Sequence, residues 1–408
     1  MKQYIPLGDL LESSDSGVWG DEDLGAGISV LRSTNFNADG TLDLTKLTFR
    51  VLDTRDQSRK LLQAGDILLE KSGGGPKQPV GRVCLFLGDA VPHAFGNFIA
   101  RLRPGKAVFS EYLFYYLWQF HSSGKTSHYQ KQTTGIRNLE FKRYLTIPVP
   151  VCSIEEQRHI VDQLSRAEGI VRLRRQAQQK AAALIPAIFV DMFDDPATNL
   201  KKWPTRPLRD LVEFQSGGTP SKARDDYWQG DVPWVSPKDM KRMALFDAID
   251  HINSLVLSET SLKLVPPGSV LIVVRGMILA HTVPVAEARV PLTVNQDMKA
   301  MVSKGEISST YLLWMLQVCH DRLLAQVTTA AHGTKKLDTA RLEEMLIPVP
   351  PKAVQQAFAS SVQRVEAIQE HQVNAMAKAE ASFSALLARA FSVQGVADAI
   401  HETERALA

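Results

Sequence analysis

Cysteine is scarce: Cys84, Cys152 and Cys319 lie far apart with no Cys-x-x-Cys pair, which excludes a disulfide framework and a zinc-ligand spacing. Buried, reduced thiols in a cytosolic protein are the expectation. Long apolar runs are also missing. Stretches such as Val270 to Val274 are far too short to span a bilayer, and Met1 to Pro6 lacks the apolar segment of a secretory signal, so a cytoplasmic protein with no membrane partner is expected. Nor is there an excess of one charge. The 47 Lys and Arg against 44 Asp and Glu leave +3, which neither demonstrates a polyanionic partner nor excludes a local basic groove.

Catalytic signatures are absent too. Ser72-Gly73-Gly74-Gly75 lacks the spacing of a phosphate-binding loop and its Ser or Thr after Lys. No Asn- or Asp-Pro-Pro-Tyr or -Phe motif of amino-methyltransferases occurs, and no strand leads into a Gly-rich cofactor turn. Asp66-x-x-x-Glu70-Lys71 approaches a nuclease pattern but fails its Glu-x-Lys spacing, and its repeat partner carries Ser269 and Val274-Arg275, so a structural role at a strand end is expected. The ten histidines show no metal-binding arrangement; His121 and His128 read as part of a loop-like stretch. Neither a metal site, a bound cofactor nor a catalytic residue is expected.

What is present is a folding composition, 44% hydrophobic and 22% charged, in a length of 408 residues that calls for two domains or more. It also holds an internal repeat. Pro6-Leu-Gly-Asp-Leu10 returns as Pro207-Leu-Arg-Asp-Leu211, and Leu31-x-x-x-Asn35-Phe36 as Val235-x-x-x-Asp239-Met240. Leu61 to Leu68 with Gly73 answers Leu264 to Leu271 with Gly276; Tyr112 to Leu117 answers Tyr311 to Leu316. Gly135-Ile-Arg-Asn-Leu139 answers Gly333-Thr-Lys-Lys-Leu337, and Ile147-Pro-Val-Pro150 recurs as Ile347-Pro-Val-Pro350. Each match alone is weak. Six in one order, at offsets of 198 to 204, define two copies of one module, the small drift in offset being what loop insertions leave behind.

A long amphipathic segment follows each Ile-Pro-Val-Pro. Ile154, Val161, Leu164, Val171, Ile185, Phe189 and Met192 stand near heptad spacing, with Pro186 predicting a kink or break near Leu184 and Ile185. In the second, Phe358, Val362, Val365, Met376, Phe383, Leu386 and Ala390 alternate steps of three and four, with Gln369, Gln372 and Ala379 in the gaps. Helices this long need a partner along the apolar stripe. The repeat supplies two, which can pair antiparallel with a module at each end; the alternative is that each lies on its own module. Inside a module, short strands (Ile28 to Leu31, Asp66 to Leu69, Val80 to Leu87, Val232 to Val235, Val270 to Val274) between Gly- and Pro-rich turns give a mixed α/β fold. The expected division is 1–150 and 196–350 for the modules, 151–195 and 351–395 for the helices, and 396–408 for a tail.

Polar, glycine-containing loops mixing Lys or Arg with Gln, Ser and Thr fall in matching places. The candidates for DNA contact are Lys71, Ser72, Lys77, Gln78, Lys131, Gln132, Thr133 and Arg137 in the first copy. In the second they are Thr219, Ser221, Lys222, Arg224, Lys238, Arg275, Lys335 and Lys336. Cationic ends suit phosphates, while Arg and Gln can make paired bonds to base edges.

The stretch Gly217-Gly218-Thr219-Pro220-Ser221, with Tyr227-Trp228-x-Gly230-Asp231-x-Pro233-Trp234-Val235-x-Pro237-Lys238-Asp239-Met240, resembles the opening of the second module in specificity (S) subunits of type I restriction-modification systems. The Ile-Pro-Val-Pro junctions, followed by Glu155-Glu156-Gln157 and by Val354-Gln355-Gln356, resemble that family's link into its helices. The first copy departs from the pattern, having Ser13 to Gly20 where Gly-Gly-Thr-Pro would stand. The resemblance implies two target-recognition domains separated by a long antiparallel coiled coil, each domain reading one half of a bipartite site in double-stranded DNA. It implies partners as well: two methyltransferase subunits docked on the helices, and restriction subunits that translocate DNA. S-adenosylmethionine, ATP and magnesium would then sit on those partners, leaving this chain non-catalytic. Alternatives are the recognition subunit of another combined restriction and methylation system, or a two-headed protein scaffold, the latter disfavoured because adhesive faces expose apolar anchors.

Overall fold

The computed structural model describes residues 3–18, 27–53, 56, 59–75, 78–133, 136–330 and 333–391. The chain divides into two units, residues 1–174 with 375–408, and 175–374.

In the first unit, β1 (Gln3–Pro6), β2 (Leu11–Ser16), β3 (Ile28–Leu31), β4 (Thr48–Arg50), β5 (Ile67–Glu70), β6 (Ser72–Gly74), β7 (Val83–Leu85), β8 (His93–Phe95) and β9 (Ile99–Pro104) precede helix α1 (Ser110–Ser122). β10 (Gln130–Thr133), β11 (Ile136–Leu139), β12 (Pro148–Val151) and the long helix α2 (Ile154–Phe193) follow. The strands pair in the orders β2-β9-β5-β7, β4-β3-β8, β10-β11-β6 and β1-β12. All of these ladders are antiparallel except β3 with β8. The Pro148 and Pro150 positions, which donate no backbone hydrogen bond, fall in a two-stranded pair where little is lost.

The second unit repeats this plan. β13 (Thr205–Pro207), β14 (Val212–Ser216), β15 (Val232–Val235), β16 (Ala244–Leu245), β17 (Asp250–Ile252), β18 (Val270–Val273), β19 (Val285–Ala288), β20 (Thr293–Val294) and β21 (Met298–Ser303) lead to α3 (Ser309–Val318). Then come β22 (Val327–Thr329), β23 (Lys335–Leu337), β24 (Leu346–Pro348) and α4 (Lys352–Phe391). The orders β14-β21-β18-β19-β16, β17-β15-β20, β22-β23 and β13-β24 mirror the first unit. Of the sequence expectations, Ile28 to Leu31 and Val232 to Val235 are strands as read, whereas Val80 to Leu87 shrinks to β7. His121 lies in α1 rather than a loop, held there by a helix whose Tyr112, Leu113, Tyr116, Leu117 and Phe120 are all buried.

The two cores are built alike. Tyr112 donates to the Pro150 carbonyl at 2.6 Å, and Tyr311 to that of Pro348 at 2.7 Å. In the first core the last residue of α4, Phe391, meets Tyr112 edge-on at 5.2 Å; in the second the last residue of α2, Phe193, meets Tyr311 at 4.9 Å. Each unit therefore contains the start of one long helix and the end of the other, running antiparallel. In the first, Leu164 and Val171 share a core with Met376, Phe383 and Leu387; in the second, Ile185 and Phe189 share one with Phe358, Val362 and Val365. The helices thus pair with each other and also lie on the modules, combining the two alternatives.

The expected break at Pro186 does not occur: α2 continues through it. Proline removes the donor to the carbonyl four residues back, but that residue, Ala182, is exposed, so its carbonyl lies open to solvent rather than stranded in a core. Ile185 and Phe189, fully packed on either side, hold the helix in register.

One buried amide joins helix, strand and loop in each unit. Gln157 accepts from Phe109 N–H at 2.8 Å and donates to the carbonyls of Cys152 (2.9 Å) and Ala107 (3.3 Å). Gln355 accepts from Ser308 N–H at 2.8 Å and donates to Pro350 (2.8 Å) and Glu306 (3.1 Å). The repeat counterpart of Glu155-Glu156-Gln157 is therefore Ala353-Val354-Gln355, one residue earlier than the match of adjacent glutamines suggests. All three cysteines are buried, and none forms a disulfide among the described residues.

Candidate nucleic-acid interface

Residues far apart in the first copy meet on one small sheet. β6 pairs with β11 and β11 with β10, with Arg137 opposite both Gly74 and Gln132, and Asn138 opposite Ser72 and Lys131. Lys71, Ser72, Lys131, Gln132, Thr133 and Arg137 thereby share a three-stranded platform. Lys71 donates to the Ser16 hydroxyl at 3.0 Å, and burial together with nearby Lys60 lowers its pKa. Lys131, mostly exposed, pairs with Glu140 at 2.6 Å. Gln78 closes its loop through paired backbone bonds with Gly75. Lys77 and the side chains of Gln132 and Thr133 lie outside the described residues, as does 396–408.

The second copy builds the same platform from Arg275, β22 and β23. Arg275 bridges to Lys336, Gly276 N–H donates to the Lys335 carbonyl at 3.0 Å, and Lys335 Nζ donates to the Thr329 hydroxyl at 2.8 Å. Lys71-Ser72-Gly73 and Val274-Arg275-Gly276 are equivalent by their bonds: Lys71 and Ser72 both donate to the Phe98 carbonyl, as Val274 and Arg275 do to that of Asp297. Gly73 and Gly276 carry φ of 94° and 133°, a backbone only glycine adopts without strain.

The remaining candidates occupy two other places. Thr219 and Ser221 line a cleft of about 580 Å³ with Gln215, Tyr227 and Lys263. Thr219 is hydrogen-bonded to Gln296, the neighbour of Asp297, which links the cleft to Arg275. Lys222 is exposed beside it. Arg224 forks onto Asp226 at 2.8 and 2.6 Å and stacks over the Tyr227 ring at 4.3 Å; the Asp226 bonds raise its pKa. Lys238 stands in the turn after β15 and pairs with Asp250 at 2.6 Å.

Sequence reasoning missed the segment behind both platforms, Gly96-Asn97-Phe98 and Asn295-Gln296-Asp297. Its only signal is a polar break after an apolar strand. It also explains the glycine of the Gly-Gly-Thr-Pro loop. A Cβ on Gly217 would lie 2.1 Å from the Asn295 carbonyl oxygen, and one on Gly17 would lie 2.2 Å from that of Gly96. The first copy lacks the motif but keeps the glycine the crossing needs.

Asp66, just before β5, and Glu70, its last residue, are consumed by arginines: Arg103 binds Asp66 at 2.7 Å and Arg82 binds Glu70 at 2.8 Å. The structural role expected for them is what the geometry gives.

Residues 22–182 and 200–378 each match the family described as Type I restriction modification DNA specificity domain. The type I restriction enzyme EcoR124I/EcoR124II specificity subunit of Escherichia coli is 35% identical over 150 residues, 36% of this chain and 37% of that protein. The MjaIX specificity subunit of Methanocaldococcus jannaschii is 29% identical over 163 residues, 39% of this chain and 37% of its own length. The alignments thus span little more than a third of these relatives. Among solved structures, a chain from a study of complex assembly and conformational transition of the type I R-M system superposes with a TM-score of 0.62 at 16% identity, covering 96% of this chain and 97% of that one. The S subunit of a type I restriction-modification system from M. genitalium gives 0.52 at 13% identity, covering 97% of both. Both likenesses concern the fold. With two matched regions that together take in most of its length, the chain belongs to the family of type I restriction modification DNA specificity domains, and holds that domain twice.

Proposed function

We propose that this chain reads double-stranded DNA for a type I restriction-modification complex, each unit recognising one half of a bipartite site. The observation that carries this is the duplicated basic platform, Lys71, Ser72 and Arg137 in one unit and Arg275, Lys335 and Lys336 in the other. Lysine and arginine ends would neutralise phosphates, and the Arg, Gln, Ser and Thr side chains between them would bond to base edges. The chain itself is non-catalytic in this reading and acts in the cytoplasm. S-adenosylmethionine, ATP and magnesium belong to its methyltransferase and restriction partners.

Two methyltransferase subunits would dock on the long helices. Ile170 and Leu173 on α2, and Ile368 and Val373 on α4, are apolar side chains left about half exposed or more. Ile170 and Ile368 are repeat equivalents, so the same docking point occurs once in each unit. Methylation mapping of cells carrying this gene with its neighbours, with and without an intact copy, tests the function. The expected result is a two-part methylated motif that disappears with the gene; methylation that is unchanged overturns the reading.

A further inference from the structure

The Arg82 guanidinium touches three separate segments of the first unit. It forks onto Glu70 (Nε and Nη2, both 2.8 Å), and donates to the backbone carbonyls of Ser33 at 3.0 Å and Phe36 at 3.2 Å. It also lies 5.6 Å from the Phe36 ring centroid. The Gln78 amide, with its oxygen turned inward, accepts from it at 2.8 Å. Glu70 is almost wholly buried and Arg82 largely so. An arginine so engaged has no donors left for phosphate, and its planar fork fixes geometry as lysine could not.

The second unit lacks this device. Glu70 N–H donates to the Arg82 carbonyl at 2.9 Å and Val273 N–H to that of Pro284 at 3.1 Å, so Val273 and Pro284 take the two positions. Both are buried and neither carries charge. The turn opposite is shared: Asn35 Oδ1 accepts from Arg32 N–H at 2.8 Å, as Asp239 Oδ2 does from Ser236 N–H at 2.8 Å. In the second unit that turn bears Lys238. In the first it bears exposed Thr34, and Glu70 runs directly into Lys71 and Ser72 of the basic platform.

Resting on the DNA-reading function above, we infer that Glu70 and Arg82 form a pin that locks the Ser33–Phe36 turn and Gln78 against the platform of the first unit, so that base discrimination in one half-site alone depends on it. Arg82 is a positioning residue: it sets where Thr34, Gln78 and Ser72 stand relative to one another and touches no base itself. Truncating it alone would strand Glu70 as a buried unpaired carboxylate, whereas replacing both partners by apolar residues of similar length leaves a core that folds and lacks only the tether.

The test is selection from a random-sequence duplex library by the complex of the full chain with its methyltransferase subunits, followed by sequencing. Wild type, Arg82→Lys, the double variant Glu70→Met with Arg82→Met, and Arg275→Ala as a marker for the second unit are compared. The wild type is expected to select a two-part motif. Both pin variants are expected to lose on the order of tenfold discrimination in one half only, the half that Arg275→Ala leaves intact. A merely structural role would lower the yield of complex and leave both halves equally sharp, which overturns the inference, as does equal blurring of both halves. A wild type that selects no two-part motif overturns the function as well.

Discussion

Lys238 holds Asp250 at 2.6 Å, so a lysine proposed to meet a DNA phosphate already has a carboxylate partner. Both side chains are partly exposed, and an ion pair of that kind contributes little to stability. On the proposed function, Lys238→Ala lowers DNA affinity and reduces the slope of log affinity against log salt by about 0.9, one phosphate contact. Asp250→Asn frees the lysine and raises affinity by a few-fold. A salt titration of binding by the assembled complex checks both.

The paired glutamines make a stability prediction. Gln157→Ala strands the Phe109 N–H and two carbonyls, and Gln355→Ala does the same at Ser308. An unmet buried donor costs about 1–3 kcal/mol, so each variant lowers the denaturation midpoint. The two losses add, because the sites lie in different cores.

The helix pair separates folding from assembly. Phe358→Ala removes a ring packed against Phe189 and Phe193 and costs about 3–5 kcal/mol. Ile368→Glu and Ile170→Glu alter exposed positions, leave the denaturation midpoint near that of the wild type, and reduce co-purification of methyltransferase subunits.

Glu168 carries a pH signature. Burial raises its pKa above the usual carboxylate range even though Tyr115 donates to it at 2.6 Å. Folding therefore favours the protonated acid: this contribution is whole below the ordinary glutamate pKa and is lost as pH rises through the elevated one. Glu168→Gln is expected to raise the melting temperature at neutral pH and to leave it unchanged in acid. Differential scanning calorimetry across that range is the check.

Much of this was legible in the sequence because duplication exposes it. Ile147-Pro-Val-Pro150 and its copy mark where strands end and helices begin, and periodic apolar residues such as Leu164, Phe189, Phe358 and Val362 mark the faces that pack. The ends of the stripes were missed: Phe193 and Phe391, both in aromatic clusters, lie one position beyond the last residues the spacing picks out. The sequence marks the platforms as separate polar loops, not as sheets. The pairing of Ser72 with Asn138 depends on contacts between segments 66 residues apart, and no local pattern encodes such a register. The pairing of Glu70 with Arg82 escaped for a related reason, since the second copy replaces both residues with apolar ones and the repeat conceals the exchange.

The central claim is that two units read two half-sites. Methylation mapping of cells in which residues 196–350 are replaced by the corresponding region of another member of the family tests it most directly. If each unit reads its own half-site, the motif keeps one half and gains a new other half; a motif altered in both halves, or in neither, rules this out.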